Sequence, residues 1–409
     1  MKRLPLLVGL LLLFFLTWHS ARAGYASLLT ASVVSAKDVD AVSKAVRLSP
    51  GDPHARVLLG ALLEANEDRT SAIPLYRTAV ALRPDDYVLR MQLARGQELE
   101  GDSAGAIKSA TVAVSLAPSY AQPHWQLGNI LVRAGYTEPG FKELRLAGAS
   151  DPALWPSIID LAWQLSGGEV KYVVVVIAPD TPTAFKACFE FFKKHGQPAA
   201  AGNMLANGGS GTEQERRAYV GELIAAKNFH EAQSLWIFEH PFNPDVRLIA
   251  DPGFEEETNL DEPGFGWRAP DPPKTVALSL DNTDPKEGHS SLRVDFNGAT
   301  SADGVVISQL VLVEPKTHYR LAFAVRTAGL VSGGLPNVTV VSADDNKPLG
   351  QTGVLPQTTN GWQVTTIEFT TGDSTSAIRI SLERQPCPAP QCPIFGKLWL
   401  DGFELVKGK

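Results

Sequence analysis

Proline recurs at a fixed interval in the first third of this chain of 409 residues. The four prolines lie 34 residues apart, and an alanine stands five positions before each: Ala45 and Pro50, Ala79 and Pro84, Ala113 and Pro118, Ala147 and Pro152. A period of this length predicts stacked copies of one supersecondary unit rather than a single globular core. Each unit would hold two amphipathic helices that approach closely at small residues, with proline ending the second helix.

The segment PHARVLLGALLEANEDRTSAIPLYRTAVALRPDD at 53–86 is the best copy, and it resembles the tetratricopeptide repeat. It departs from that family at its first aromatic position, where Arg56 stands. The resemblance implies an all-α helical solenoid over residues 24–153 with a groove that binds a protein partner. First-helix positions that would face this groove are Val57, Ala61, Glu64, Met91, Arg95, Glu98, Trp125, Asn129 and Arg133. The alternative is that they are ordinary solvated surface positions.

Helical signals continue beyond Pro152, although the strict period does not. Thr212 and Glu215 form a capping box, which marks the start of a helix. Residues 154–242 are therefore interpreted as degenerate repeat-like helix pairs. Val173–Ile177 fits either a short buried strand or a helix, since so short an apolar run does not distinguish them.

The pattern changes after residue 247 to alternating apolar segments separated by Gly, Pro, Asn and Asp. About eight such segments, among them YRLAFAVRT and WQVTTIEFT, predict an all-β sandwich or jelly roll over 247–409. The landmarks DPGFEEE, EGHSSLRV, PKTHYRLAFAVRT, GWQVTTIEFTT and LWLDGFEL follow one another in the order found in jelly-roll carbohydrate-binding modules of the galactose-binding-like type. We therefore expect a module that is similar to this family.

That resemblance implies a structural calcium ion between the opening and closing strands, with Glu255 and Asp401 as candidate oxygen ligands. The alternative is that both are ordinary loop carboxylates. No other cofactor is expected.

Carbohydrate modules of this type hold sugar rings on exposed aromatic side chains. Trp267 beside Arg268, in a loop rich in Gly and Pro, and Trp399, which alternates with Leu398 and Leu400, are the candidate glycan-binding residues. Tyr319 and Trp362 belong to alternating strands and are expected in the core.

The chain starts with the three parts of a secretory signal peptide over residues 1–23. Lys2 and Arg3 precede an apolar run, and Ala21-Arg22-Ala23 forms the cleavage site. Export to the periplasm or cell envelope is expected, and the alternative is an uncleaved segment that anchors the chain in the inner membrane. Cys387 and Cys392 then predict a loop disulfide, because thiols are oxidised outside the cytoplasm. Cys188 is expected to be a buried thiol.

Charge and missing motifs narrow the possible functions. There are 37 Lys and Arg against 44 Asp and Glu, so the net charge of −7 disfavours nucleic acid as a partner. The sequence contains no nucleophile elbow, HExxH, Walker A or GxGxxG motif. We therefore predict a non-enzymatic exported adaptor, whose groove binds a protein and whose sandwich binds glycan or protein.

The adaptor is the first of three functional hypotheses that remain open at this point. Chains with this combination of parts resemble bacterial envelope proteins, some of which are linked to surface polysaccharide assembly. The second hypothesis is a polysaccharide-processing enzyme with carboxylates between the solenoid and the sandwich, where two carboxyls would lie about 5–10 Å apart. The third is a sandwich that has lost ligand binding and caps the solenoid.

Overall fold

The computed structural model describes residues 3–35, 37–207, 209, 211–240, 242–256, 260–269, 276–298, 304–387 and 392–408. Met1 and Lys2, which belong to the predicted signal peptide, lie outside the described residues. The contacts divide the chain into two units, Met1–Ala187 and Cys188–Lys409. The order of elements is helical and then β, so the predicted fold class is confirmed.

Helices of the first unit form consecutive antiparallel pairs. They are α1 (Arg3–Ala31), α2 (Val39–Leu48), α3 (Pro53–Ala65), α4 (Arg69–Leu82), α5 (Tyr87–Leu99), α6 (Ser103–Leu116), α7 (Ala121–Arg133), α8 (Thr137–Ser150), α9 (Trp155–Ser166) and α10 (Val170–Ile177). Aspartates cap several of them, since Asp52, Asp68 and Asp102 each accept a hydrogen bond from a backbone N–H of the first turn. The segment Val173–Ile177 is thus helical.

The 34-residue period corresponds to packing between paired helices. Ala45, Ala79, Ala113 and Ala147 are all buried. A Cβ added at Gly60 of α3 would lie 2.7 Å from the Tyr76 ring of α4, and one added at Gly128 of α7 would lie 2.7 Å from Leu144 of α8. The tetratricopeptide prediction is confirmed by this arrangement, in which small residues permit close helix contact.

The N-terminal helix α1 extends this register backwards. Ala26 precedes Gly60 by one period and is 1% exposed. Lys44 of α2 lies 5.2 Å from the centroid of the Tyr25 ring. Earlier in the helix, Leu13 and Phe14 are exposed. Among the residues that the structure describes, no helix has both the length and the hydropathy needed to cross a membrane.

The second unit begins within α11 (Pro182–Lys194) and continues with α12 (Pro198–Ala206), α13 (Glu213–Ala225) and α14 (Phe229–Ile237). Thr212 and Glu215 form the predicted capping box of α13. α14 contacts the start of the β region, because the Trp236 and Phe265 rings lie 5.9 Å apart. Lys227 also donates a hydrogen bond to the carbonyl of Asp344. The last helices and the sandwich are thus joined in this unit.

Two antiparallel sheets form the β region. The strands are β1 (Val276–Asp281), β2 (Ser291–Asn297), β3 (Val305–Leu312), β4 (His318–Val331), β5 (Pro336–Ser342), β6 (Pro348–Gln351), β7 (Gln363–Thr370), β8 (Ala377–Arg384) and β9 (Phe395–Lys407). Within the described residues, the sheets have the orders β1-β2-β9-β4-β7 and β3-β8-β5-β6. Apolar side chains from both sheets, including Val294, Phe323 and Ile378, form one buried core. The predicted β-sandwich is confirmed.

A bulge in β9 sets which of its side chains leave the core. Ala322 pairs with Glu404 and Ala324 with Asp401, so one residue of β4 lies opposite two of β9. Gly402, at φ +58°, is the extra residue and has the left-handed conformation that glycine adopts without strain. Trp399, Asp401 and Glu404 consequently all lie on the outer face of the five-stranded sheet.

Candidate functional site

Arginine and tryptophan alternate across the outer face of the five-stranded sheet. Arg293 of β2 pairs with Trp399 of β9, which pairs with Arg326 of β4. The guanidinium carbon of Arg326 lies 4.4 Å from the Trp399 ring centroid and 5.0 Å from that of Trp362. Arg293 lies 5.9 Å from the Trp399 ring. We call these four residues the aromatic row, and cation–π attraction orders it.

Aspartates of the β1–β2 region hold the aromatic row in place. Asp281 accepts a hydrogen bond of 2.7 Å from the Trp399 indole N–H. The Thr283 hydroxyl and N–H, with this indole, lower the pKa of Asp281 to about 2. Asp284 pairs with Arg326, and its carbonyl accepts a 3.1 Å hydrogen bond from the Trp362 indole. The row is therefore built before any ligand arrives.

A groove lies on the same face of the sheet. It has a volume of about 660 Å³, and its floor includes Ala322, Ala324 and Gly402. These residues have little or no side chain, so the sheet surface is recessed between its neighbours. Val364, two residues after Trp362 on β7, also lines the groove and is exposed. The groove and the aromatic row thus share one sheet face.

The two carboxylates that were predicted to bind calcium are close together beside this groove. Asp401 Oδ1 and Glu255 Oε1 each lie 3.5 Å from the position that a Cβ would take at Gly253. The N–H groups of Lys286 and Glu287 donate to Asp401 Oδ2 at 2.7 and 3.1 Å. Asp401 Oδ1 is buried with no hydrogen-bond partner among the described residues. The fold therefore joins residues 146 positions apart in the sequence.

The electrostatics of this pair suit a hard cation. Burial raises the pKa of the Asp401 carboxyl, backbone N–H groups led by that of Glu287 oppose this rise, and the Glu255 carboxylate adds to it. A calcium ion would offset both the burial and the repulsion, and carboxylate oxygen is its preferred ligand. Within the described ranges, no three His, Cys, Asp or Glu side chains converge on a metal position. Backbone oxygens and water would complete the coordination.

The structure places the other predicted glycan-binding residues differently. Trp267 is 2% exposed, stacks on Phe254 at 4.9 Å, and donates its indole N–H to the Asp251 carbonyl. Its ring belongs to the core and has no surface for a sugar, so this assignment is corrected. The exposed Arg268 is held through its backbone by a bridge to Ser308.

Trp399 is 9% exposed and does face away from Leu398 and Leu400, which belong to the core. It lies beneath Arg326 rather than open to solvent. Tyr319 is buried as expected. Trp362 is on the outer face and not in the core, which corrects that expectation. Strand alternation in HYRLAFAVRT would have placed Arg326 on this face, by the same reasoning as for Trp399.

Residues predicted for the solenoid groove form a ladder of ion pairs between helices of successive repeats. Arg95 of α5 binds Glu64 of α3, and Arg133 of α7 binds Glu98 of α5, both at 2.6 Å. The arginine side chains are about half exposed, which leaves hydrogen-bond donors open to solvent. Of the five remaining predicted positions, Met91 is buried, and Val57, Ala61, Trp125 and Asn129 are half-buried.

The cysteines behave as the sequence predicted. Cys387 and Cys392 form a disulfide. Cys188 is buried, and burial raises the pKa of its thiol to about 12, which disfavours the nucleophilic thiolate.

Comparison with known proteins finds a family match in the β region. Residues 247–390 match the family model of a carbohydrate binding domain. No curated protein matches the chain. A solved structure titled "CBM4 structure and function" is 16% identical, with a TM-score of 0.27, and the match covers 39% of this chain and 99% of that one.

Among other solved structures, a crystal structure of MamA is 18% identical with a TM-score of 0.31, covering 39% of this chain and 90% of that one. MamA from Desulfovibrio magneticus RS-1 is 16% identical with a TM-score of 0.32, covering 44% and 94%.

Proposed function

We propose that this protein is a non-enzymatic exported adaptor, in which the solenoid binds a protein partner and the sandwich binds a glycan at the cell envelope. The observation that carries the glycan half is the aromatic row beside an open groove, in a sandwich whose residues 247–390 match a carbohydrate binding domain. Sugar rings stack on indole faces, while the nearby arginine and aspartate side chains offer hydrogen bonds to hydroxyl groups. A role in surface polysaccharide assembly is part of this proposal.

Glycan binding is tested by titrating the full chain with a neutral β-glucan oligosaccharide. Replacing the partly exposed Trp362 by alanine should weaken binding at least tenfold, which corresponds to about 1.4 kcal/mol. The matched control is Phe395→Ala, which removes an aromatic side chain that is exposed but outside the row. Equal loss in both variants, or no binding by the wild-type chain to any glycan, would contradict the glycan half of the proposal.

The protein-binding half rests on the exposed arginines and Trp125 of the solenoid. Helical repeats offer a continuous surface of this kind to an extended peptide or a helix. Replacing Arg95, Trp125 and Arg133 together by alanine should release a partner that the wild-type chain retains from envelope extracts. The amount of partner that each chain retains is measured on the same extract. A partner retained equally by both chains would show that the groove does not bind it.

A binding role is favoured over catalysis by the state of the neighbouring carboxylates Glu255 and Asp401. Asp401 is 0% exposed, and the N–H of His289 donates to both carboxylate oxygens of Glu255. A glycosidase needs one carboxyl that reaches the glycosidic oxygen and a second that reaches the anomeric centre or water. The inaccessible Asp401 is suited to a structural cation instead. Assay of the exported chain on the glycan that it binds should reveal no new reducing ends.

Export is proposed from the leader, with cleavage before Gly24. Buried contacts of α1 with the repeats include Ala26, which lies after this point. Cleavage would therefore keep the segment 24–31, which packs in the repeat register. Retention of residues 1–23 as a membrane anchor is the alternative outcome.

A further inference from the structure

We infer that the groove of the sandwich selects a glycan that carries free amino groups and disfavours polyuronates. This inference rests on the proposed glycan binding and specifies its ligand class. The selectivity lies in the groove, because the aromatic row would supply stacking to any sugar. The charges that line the groove determine which sugars it selects.

Carboxylates outnumber cationic side chains around the groove. Its lining includes five carboxylates against two cationic groups, namely Asp251, Glu255, Glu256, Glu287 and Glu404 against Arg247 and Lys286. Glu287 and Glu404 are exposed, and the Glu287 carboxyl carbon lies 3.7 Å from the position that a Cβ would take at Gly402. A ligand of negative charge would enter an unfavourable field here, and one of positive charge a favourable one.

A buried oxygen beside the groove provides a second observation. Asp401 is 0% exposed, and its Oδ1 atom has no hydrogen-bond partner among the described atoms. This atom lies 3.5 Å from the position that a Cβ would take at Gly253, a residue of the groove wall. A buried acceptor that is left unpaired costs free energy until a donor or cation reaches it. A hydrogen-bond donor or a cation at this end of the groove would satisfy this oxygen.

The size and floor of the groove fit a polymer. A volume of about 660 Å³ is typical of a ligand-binding cleft. Ala322, Ala324 and Gly402 line the groove with little or no side chain, which leaves room for sugar rings, and five carboxylates line the same groove. An ammonium group on the sugar ring would extend sideways towards these carboxylates, where each exposed pair contributes about 0.2–1 kcal/mol.

Three oligosaccharides of equal length test the inference on the full chain. They are hexameric β-1,4-glucosamine, neutral cellohexaose and hexameric galacturonate, titrated at low salt and at a pH at which the sugar amines are protonated. We expect the amino sugar to bind about tenfold more tightly than cellohexaose, and the galacturonate to bind most weakly. Added salt should reduce the difference.

The double variant Glu287→Gln, Glu404→Gln should bring the amino sugar and cellohexaose to within about threefold of each other. Glu368→Gln is the control, because it removes an exposed carboxylate of β7 that does not line the groove. Equal or tighter binding of galacturonate, or a preference unchanged in the double variant, overturns the inference. If none of the three sugars binds, the proposed function itself fails, so the two failures are distinct.

Added calcium distinguishes attraction of a sugar amine by these carboxylates from a purely structural role in holding an ion. If an ion occupies the site between Glu255 and Asp401, adding calcium should reduce the preference for the amino sugar without abolishing cellohexaose binding. Chelator should restore that preference. Loss of cellohexaose binding on chelation, with no change in the preference, would show that the carboxylates act only in building the fold and would contradict the inferred role of their charge.

Discussion

The guanidinium of Arg326 covers one face of the Trp399 ring, with its carbon 4.4 Å from the ring centroid. Asp284 fixes the guanidinium from the other side by an ion pair. A sugar that stacks on Trp399 must therefore displace Arg326. Trp362 is the part of the aromatic row that is accessible first.

Removal of the Arg326 side chain should expose Trp399 to solvent. We expect the tryptophan emission of Arg326→Ala to shift to the red and to be quenched more strongly by acrylamide. Arg293→Ala, whose guanidinium lies 5.9 Å from the same ring, should have a smaller effect. Identical quenching in Arg326→Ala and wild type would show that the guanidinium does not shield the ring.

Calcium should stabilise the second unit if Glu255 and Asp401 share an ion. Binding to the native state alone adds about 2.7 kcal/mol at a hundredfold excess over Kd. The melting transition of the sandwich in the full chain should rise with calcium and fall in chelator, whereas Asp401→Asn should not respond. Glu314→Gln, an exposed carboxylate paired with Lys407, is the control. Coincident melting curves of the wild type in calcium and chelator would reject the ion site.

Stability of the ion-free protein should decrease as the pH rises above the ordinary aspartate range. Burial raises the pKa of Asp401 from 3.8, so the native state keeps a proton that the unfolded state has lost. The unfolding free energy consequently falls as pH increases through the raised pKa. Burial also raises the pKa of Asp251, which adds a slope of the same sign.

Asp401→Asn in chelator should therefore reduce the slope of the unfolding free energy against pH. The part of the slope that is due to Asp251 should remain. Urea unfolding at a series of pH values above about 4 measures it, because ordinary aspartates have ionised there. A slope that is unchanged in Asp401→Asn would contradict the assignment to this carboxyl.

Close contact at Gly60 predicts an effect on the solenoid alone. The Cβ of Gly60→Ala would lie 2.7 Å from Tyr76, whose ring is 0% exposed and is also bounded by Gly96. Overpacking of this kind costs about 1–3 kcal/mol, partly offset by about 1 kcal/mol of helix propensity. We expect a net loss of up to about 2 kcal/mol in the unfolding free energy of the first unit. Gly51→Ala, with open space around it, should be neutral.

Periodicity made the solenoid predictable, because the same contact recurs every 34 residues. It also placed Trp399 on the outer face, since alternation is a property of the backbone. Trp267 could not be assigned in this way. Its loop has the Gly and Pro content of an exposed turn, yet the Asp251 carbonyl and the Phe254 and Phe403 rings draw the indole into the core.

The sequence also did not reveal Asp284 or the groove. Asp284 acts on Arg326 from 42 residues away, and its neighbours contain no motif that marks this pairing. The recessed floor depends on alanine and glycine, which are common residues. The bulge at Gly402 aligns them, and that depends on strand pairing rather than on local composition.

The loop between β1 and β2 carries most of its contacts through the backbone. Lys286, Glu287 and His289 offer N–H groups to the two carboxylates, and the Asp284 carbonyl receives the Trp362 indole. A Cβ at Gly288, where φ is +66°, would lie within bonding distance of Glu255. Apart from Asp284 and Glu287, most side chains of this loop could thus vary, provided that its length and this one glycine persist. In related proteins we expect insertions here to be rarer than substitutions.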